Sequence, residues 1–442
     1  MLAAIQNAFR LPDIRRRILY TIFILVIYQL TAHVSVPGVD RDALAELFNS
    51  DAGGFLSVLD LLSGGAVSNF SIIANGVYPY ITASIILQLL VPIIPSLERI
   101  AREPGGQQKI NQYTYYLAIP MAILQSIGQI NIFNASITGG GFDGLIPGFG
   151  NDFWLTVAVV ATMTAGTMFA IWLGELISEQ GIGNGISIII FAGIVAQAPA
   201  NLFRLLQNFF FYNLTLFVLI TFVTVLVIVL IQEGTRRIPV QYGKRVRGRK
   251  VYGGGQTFIP LRVNTAGMIP LIFAQSIITF PAIIAGLFPS GSVGTYLQNN
   301  FGNAVGLPYW TIYFILVVAF TYFYTDITIQ NQNLAENLQK NGGFIPGIRP
   351  GANTEAYIQR VVRRITLIGA IFLGTVAVLP GFVQILNDLF LESGAAASTF
   401  TNNAAMVIGP SGLIIVVGVV IDTMRQLEAQ LMMRNYDGFM RN

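Results

Sequence analysis

About ten stretches of this chain are apolar for long enough to cross a lipid bilayer, and polar loops separate them. Hydrocarbon offers the backbone no hydrogen-bond partner, so such stretches fold as helices that satisfy their own amides. A helix rises about 1.5 Å per residue, and about 20 apolar residues cross a core of about 30 Å. On that scale, spans are predicted near 18–36, 72–95, 114–133, 153–173, 184–203, 214–232, 266–288, 309–330, 365–386 and 404–430. Hydrophobic residues make up 54% of the 442 and charged ones 10%, against about 25% charged in a soluble domain. That balance argues against a soluble protein with a greasy core.

Charge sets the orientation. Of the 25 Lys and Arg residues, 23 fall in the first stretch, in every second loop after it, or in the C-terminal tail; Arg41 and Arg204 are the exceptions. Basic loops stay in the compartment of synthesis, so both termini are expected in the cytosol. The 96–113 loop carries Arg99, Arg102 and Lys109, the 233–265 loop carries eight basic residues, and the 331–364 loop carries five. The loops at 134–152, 289–308 and 387–403 carry none. Two halves, 1–205 and 206–442, each contain five predicted spans. An odd number per half inverts the second unit relative to the first.

The segment Phe55–Ala66 is apolar but too short to span, and it ends in glycines. It is expected to dip back into the protein, with a surface-lying amphipathic helix as the alternative. Each glycine weakens a helix by about 1 kcal/mol relative to alanine, which suits an element that moves.

Chemistry-bearing constellations are scarce. The chain has no Cys and a single His, His33, near the outer end of the first span, where an interfacial role is expected. Gly181-Ile-Gly183-Asn-Gly185 superficially suggests a phosphate loop, but no strand precedes it and no Lys-Ser/Thr follows, so a turn and helix start are expected. Intramembrane carboxylates usually mark ion-coupled transport. Here Glu175, Asp326 and Asp422 lie near predicted span ends and the central stretches are uncharged. No cofactor or enzymatic activity is expected. A secondary transporter built on an inverted repeat is the alternative from physics alone, and the uncharged midplane disfavours it. A membrane-embedded enzyme lacks any suitably spaced pair of His or carboxylates.

Several motifs are specific. Asp60-Leu-Leu-Ser-Gly-Gly-Ala-Val-Ser68 and Pro79-Tyr-Ile-Thr-Ala-Ser-Ile-Ile-Leu-Gln88 resemble the plug and second span of the SecY family of protein-conducting channels. The likeness continues through Gly181–Phe191, Tyr242–Tyr252, Asn264–Pro270 and Phe344–Gly351, in the family's order and over essentially the whole chain; the bacterial form fits best. The resemblance implies an all-α membrane protein with ten transmembrane helices in two pseudo-symmetric inverted halves, a short re-entrant plug helix at about 55–67, and a cytosolic β-hairpin loop turning near Gly243–Gly248. It implies a channel through which unfolded secretory proteins cross the membrane or leave sideways into lipid. The implied partners are the membrane subunits SecE and SecG, the SecA ATPase, the ribosome, signal sequences with their preproteins, and the phospholipid bilayer.

Aligned on those motifs, the apolar pore ring is expected at Val77, Ile81, Ile190, Ile272 and Ile414. The plug is expected to include Leu59, Leu61, Leu62, Ser63, Gly64, Gly65 and Ala66. A lateral gate is expected between the second, third, seventh and eighth spans. There Gln88, Gln125 and Asn264 would form a polar latch, Thr82 and Phe280 would face each other, and Pro79, Pro120, Pro270 and Pro281 would ease bending. Partner docking is expected at Arg236, Arg237, Lys244, Arg245, Arg247, Arg249, Lys250 and Arg349. Pro346-Gly-Ile-Arg-Pro350 stiffens the backbone around that last guanidinium.

Overall fold

The computed structural model describes residues 11–44, 63, 65–103, 105–137, 144–208, 211–242, 245–247, 250–252, 255–287, 296–297, 301, 307–332, 334–390 and 410–440. Among these, long helices dominate. They are α1 (Pro12–Thr31), α2 (Tyr78–Leu90), α4 (Gly106–Ile137), α5 (Phe153–Gln180), α6 (Gly185–Asn208), α7 (Phe211–Glu233), α8 (Ile269–Leu287), α9 (Leu307–Gln332), α11 (Ala352–Phe390) and α12 (Pro410–Met440). Each overlaps one of the predicted spans. Two short helices, α3 (Pro95–Arg102) and α10 (Leu334–Lys340), lie in loops predicted to be cytosolic. By length and composition alone, four helices among the described residues can cross a membrane: those starting at Gly106, Phe153, Pro308 and Ala352. The pair α2 and α3 makes a fifth, bent by 106°.

That bend has a local cause. Pro92 lies in the break at 91–94 and Pro95 opens α3, and each proline removes an amide donor and disfavours helical geometry in the residue before it. The second span also starts later than hydropathy predicts. Residues 72–77 form turns, and the helix begins only at Tyr78 with Pro79 in its first turn. Pro270 likewise sits in the first turn of α8, where its missing N–H would be unpaired anyway. Of the four prolines expected to bend the gate helices, only Pro120 and Pro281 are therefore interior.

Helix ends follow from side chains. Asp152 caps α5, accepting from the Trp154 amide at 3.1 Å, and Asn184 accepts from the Ser187 amide at 3.2 Å at the start of α6. The Gly181–Gly185 run thus forms the expected turn and helix start. Gly183 takes φ +80°, a region that strains any residue with a Cβ.

The main apolar core draws on α1, α2, α5, α6, α8, α9, α11 and α12. A second core joins Val36, Val67, Phe70, Phe133, Ile146 and Met163. There the chain leaving the plug segment docks against the end of α1: Val36 N donates to Phe70 O at 3.0 Å, and Ile72 N donates to Val34 O at 2.9 Å. Phe70 takes φ +38°, unusual for a residue with a large side chain. Its ring is fully buried edge-to-face on Phe133, at 5.2 Å between centroids. On α1, Leu19, Ile22, Phe23, Val26 and Leu30 form an exposed apolar stripe at helical spacing, the face a lipid-immersed helix turns to acyl chains.

The two long basic loops are knitted together. Strand β1 (Thr235–Tyr242) pairs antiparallel with β4 (Gln256–Arg262), and its far end pairs with β5 (Gly343–Phe344) from the second of them. A smaller antiparallel pair joins β2 (Arg245–Arg247) to β3 (Lys250–Tyr252). Beneath the sheet, Ile238, Val240 and Leu261 pack with Ile329, Leu338, Ile345, Ile358 and Val362. Sheet, α10 and the cytosolic ends of α9 and α11 therefore form one body.

Candidate pore, gate and docking face

The expected pore ring comes from four helices. Val77 immediately precedes α2 and Ile81 sits one turn on; Ile190, Ile272 and Ile414 belong to α6, α8 and α12. Val77, Ile81, Ile190 and Ile414 are buried in the main apolar core, and half-buried Ile272 packs against it. None of the five faces outward as the α1 stripe does.

Of the expected plug residues, Leu59, Leu61, Leu62 and Gly64 lie outside the described residues. Ser63 is buried and helical; its hydroxyl accepts from the Val67 amide at 3.2 Å, and the Tyr28 hydroxyl donates to its carbonyl at 3.4 Å. Ala66 is fully buried in the main core. A Cβ on Gly65 would stand 3.6 Å from the Gln197 amide of α6. The end of this segment is thus seated among α1 and α6.

Helices α2, α4, α8 and α9 touch one another as α2–α4, α4–α8, α8–α9 and α2–α8. The seam between α4 and α8 is closed tightly. A Cβ at Gly128 would collide with Ile283 Cγ2 and stand 2.8 Å from the Ile283 carbonyl oxygen. Phe280 packs in a cluster with Ala83, Ile86, Ala118 and Met121, and so faces α2 and α4. Thr82 is buried and accepts from Gln125 Nε2 at 3.0 Å, tying α2 to α4.

The predicted latch among Gln88, Gln125 and Asn264 is not what the chain builds. Gln88 bonds Ser84 on its own helix at 3.0 Å, because a partner one turn back is always within reach. Asn264 Nδ2 donates to the Gly267 carbonyl at 2.9 Å within its own loop. Only Gln125 reaches another helix. Sequence reasoning missed Gly128 and the bond from Asn75 Nδ2 to Ser126 Oγ at 2.7 Å. A glycine in an apolar helix is a common sight, and no local pattern links residues 51 apart.

On the cytosolic face, Arg236 and Arg237 are exposed on β1 and Arg349 is exposed beyond β5. Arg245, Arg247 and Lys250 lie on the small hairpin, while Lys244 and Arg249 lie outside the described residues. The Arg349 loop is anchored by buried Ile345 and by the Thr354 hydroxyl, which donates to the Arg349 carbonyl at 3.0 Å. Arg425 of α12, by contrast, is committed: it meets Glu233 at 2.8 Å and Asp422 at 3.8 Å. Nearby Arg262 has its pKa lowered by partial burial and then by the charge of Arg425, with Asp422 and Glu233 opposing.

Comparison with known proteins agrees with this fold. The SecY family profile matches residues 71–424. The protein translocase subunit SecY of Mycobacterium tuberculosis is 42% identical, with 100% of each chain covered. That of Halalkalibacterium halodurans is 41% identical at the same coverage. A solved protein-conducting channel superposes with a TM-score of 0.61 at 19% identity, covering 96% of both chains. With matches of this length on this helical frame, the chain belongs to the SecY family, the channel subunits of protein translocases.

Proposed function

We propose that this SecY-family chain is a passive, protein-conducting channel of the cytoplasmic membrane, shut in the conformation described. Unfolded secretory proteins pass through it and membrane segments leave it sideways into lipid. A charged side chain crossing lipid costs about 2.5–3.5 kcal/mol at the bilayer centre. A wet passage removes that penalty, and an apolar waist keeps the passage tight at rest. The observation carrying this reading is that Val77, Ile81, Ile190 and Ile414, from three helices, share one apolar core and Ile272 of a fourth packs against it.

In this reading, 1–205 and 206–442 are inverted halves with both termini cytosolic, and the segment at 55–67 is the plug beneath the ring. The seam between α4 and α8 is the lateral exit. SecE and SecG complete the membrane assembly. The exposed Arg236 and Arg237 of β1, the basic residues of the small hairpin and exposed Arg349 receive SecA or the ribosome. Their density supports this, since topogenic charge alone needs only a few basic residues.

Ile414→Asn or Ile272→Asn tests the ring. The amide wets the constriction, so resting ion leak rises and preproteins with defective signal sequences are exported. Both measurements unchanged from the parent channel sink the assignment.

A further inference from the structure

Which residue α12 presents to the ring depends on how that helix is rotated. The helix runs unbroken from Pro410 to Met440. At about 3.6 residues per turn, Ile414, Gly418, Asp422 and Arg425 lie within a quarter turn of one another. Ile414 is fully buried, and Val420, off that face, is 44% exposed. Leu413 and Ile415 are buried in the same core as Ile414. All three are aliphatic and apolar burial has no direction, so packing alone discriminates weakly among the rotations that would present each.

Directional contacts lie further along the Ile414 face. A Cβ at Gly418 would stand 3.3 Å from Met268 Cβ and 3.4 Å from Gln232 Nε2, so the glycine lets α12 come close to α7 and to the lead-in of α8. Two turns on, Arg425 donates to Glu233, the last residue of α7, at 2.8 Å and lies 3.8 Å from Asp422. Arg262 of β4 brings a second cation near enough for its charge to act with Asp422 and Glu233. The Arg425 side chain is 26% exposed and that of Glu233 43%, so water screens the pair only in part.

We propose that Arg425 and Glu233 are positioning residues that fix the rotation of α12 and so aim Ile414 at the ring. The inference rests on the ring reading of Val77, Ile81, Ile190, Ile272 and Ile414. From Arg425 to Ile414 the helix is a rod of about 16 Å, and a turn at one end is a turn at the other. Rotation by one position, about 100°, swings Arg425 off Glu233 and brings Leu413 or Ile415 to where Ile414 stood. With the pair intact, that rotation separates opposite charges; without it, the three rotations compete.

The test uses the translocase with its partner subunits, holding an arrested preprotein that carries one cysteine. Because the chain has no Cys, a cysteine placed in turn at Leu413, Ile414 or Ile415 reports by disulfide formation which position faces the passing polypeptide. In the parent, the cysteine at Ile414 is expected to dominate. Arg425→Gln and Glu233→Gln are each expected to lower its preference over the two neighbours by about threefold to tenfold, the range of a partly screened pair within a charged network. The double variant is expected to fall no lower than the singles. Where Arg425→Gln fails to assemble, Glu233→Gln, which leaves Arg425 its contact with Asp422, carries the test.

An unchanged preference in the single variants overturns the positioning role and leaves the ring standing. Losses that multiply in the double variant overturn it as well, because the two residues then act separately. If the three positions react alike in the parent, the ring reading fails and takes the positioning role with it.

Discussion

Gly128 shows how a single missing side chain can set the closure of a seam. A methyl group there meets the Ile283 carbonyl oxygen as well as its Cγ2, and since the backbone cannot rotate aside, α4 and α8 have to separate to admit it. Overpacking of this kind is worth about 1–3 kcal/mol. Gly128→Ala is therefore expected to favour the parted seam and to raise export of a signal-defective preprotein by about fivefold or more; export at the parent level would show that the contact does not govern opening. Arg349 carries the complementary prediction. Its guanidinium is exposed while its backbone is fixed by Thr354 and Ile345, so reversing its charge changes a surface and spares the fold. Arg349→Glu is expected to abolish SecA-driven export in a reconstituted assay, with assembly and resting tightness unchanged. Transport at the normal rate removes the docking role.

Among elements, the cytosolic sheet depends on β1, which lies between β4 and β5. Val240 on β1 is fully buried in the core under that sheet. Val240→Asp places a carboxylate where it has neither water nor a partner, at a penalty of several kcal/mol. The expected result is a docking face that no longer binds SecA or ribosomes and is cut readily by protease, on a channel that still holds ions back; intact binding would argue against a folded docking platform.

The helices were the most legible elements, since lipid forces every span to satisfy its own backbone and that requirement is written into hydropathy. The short α2 was less so: residues 72–77 are apolar like a helix, but Asn75 and Gly76 turn the chain there. Strand β5 could not be foreseen, because two residues have no periodicity and their partner is about a hundred positions away. The failed latch has a similar origin. Residue type told that Gln88 and Asn264 wanted partners, and only the folded geometry told that each finds one locally.

Across the whole molecule, side chains from distant parts of the chain meet in one apolar core, while charge is held at helix ends in pairs such as Arg425–Glu233. That division suits the proposed channel, which needs water and ions near its entrance and neither at its waist. The wall is not uniform. Along α4, polar bonds and a bare glycine take the place of continuous aliphatic packing, so the barrier is weakest where sideways exit is proposed.

The pairing of β5 with β1 has a mechanical consequence. Both cytosolic loops in that sheet belong to residues 206–442, and their shared core is welded to α9 and α11. A partner docked on the proposed face would therefore bear on the frame of α9 and α11, while α2 and α4, from the other half of the chain, contribute no described residue to that core. A push on the sheet would then reach α9 and α11 before it reached the helices that carry Thr82 and Gln125.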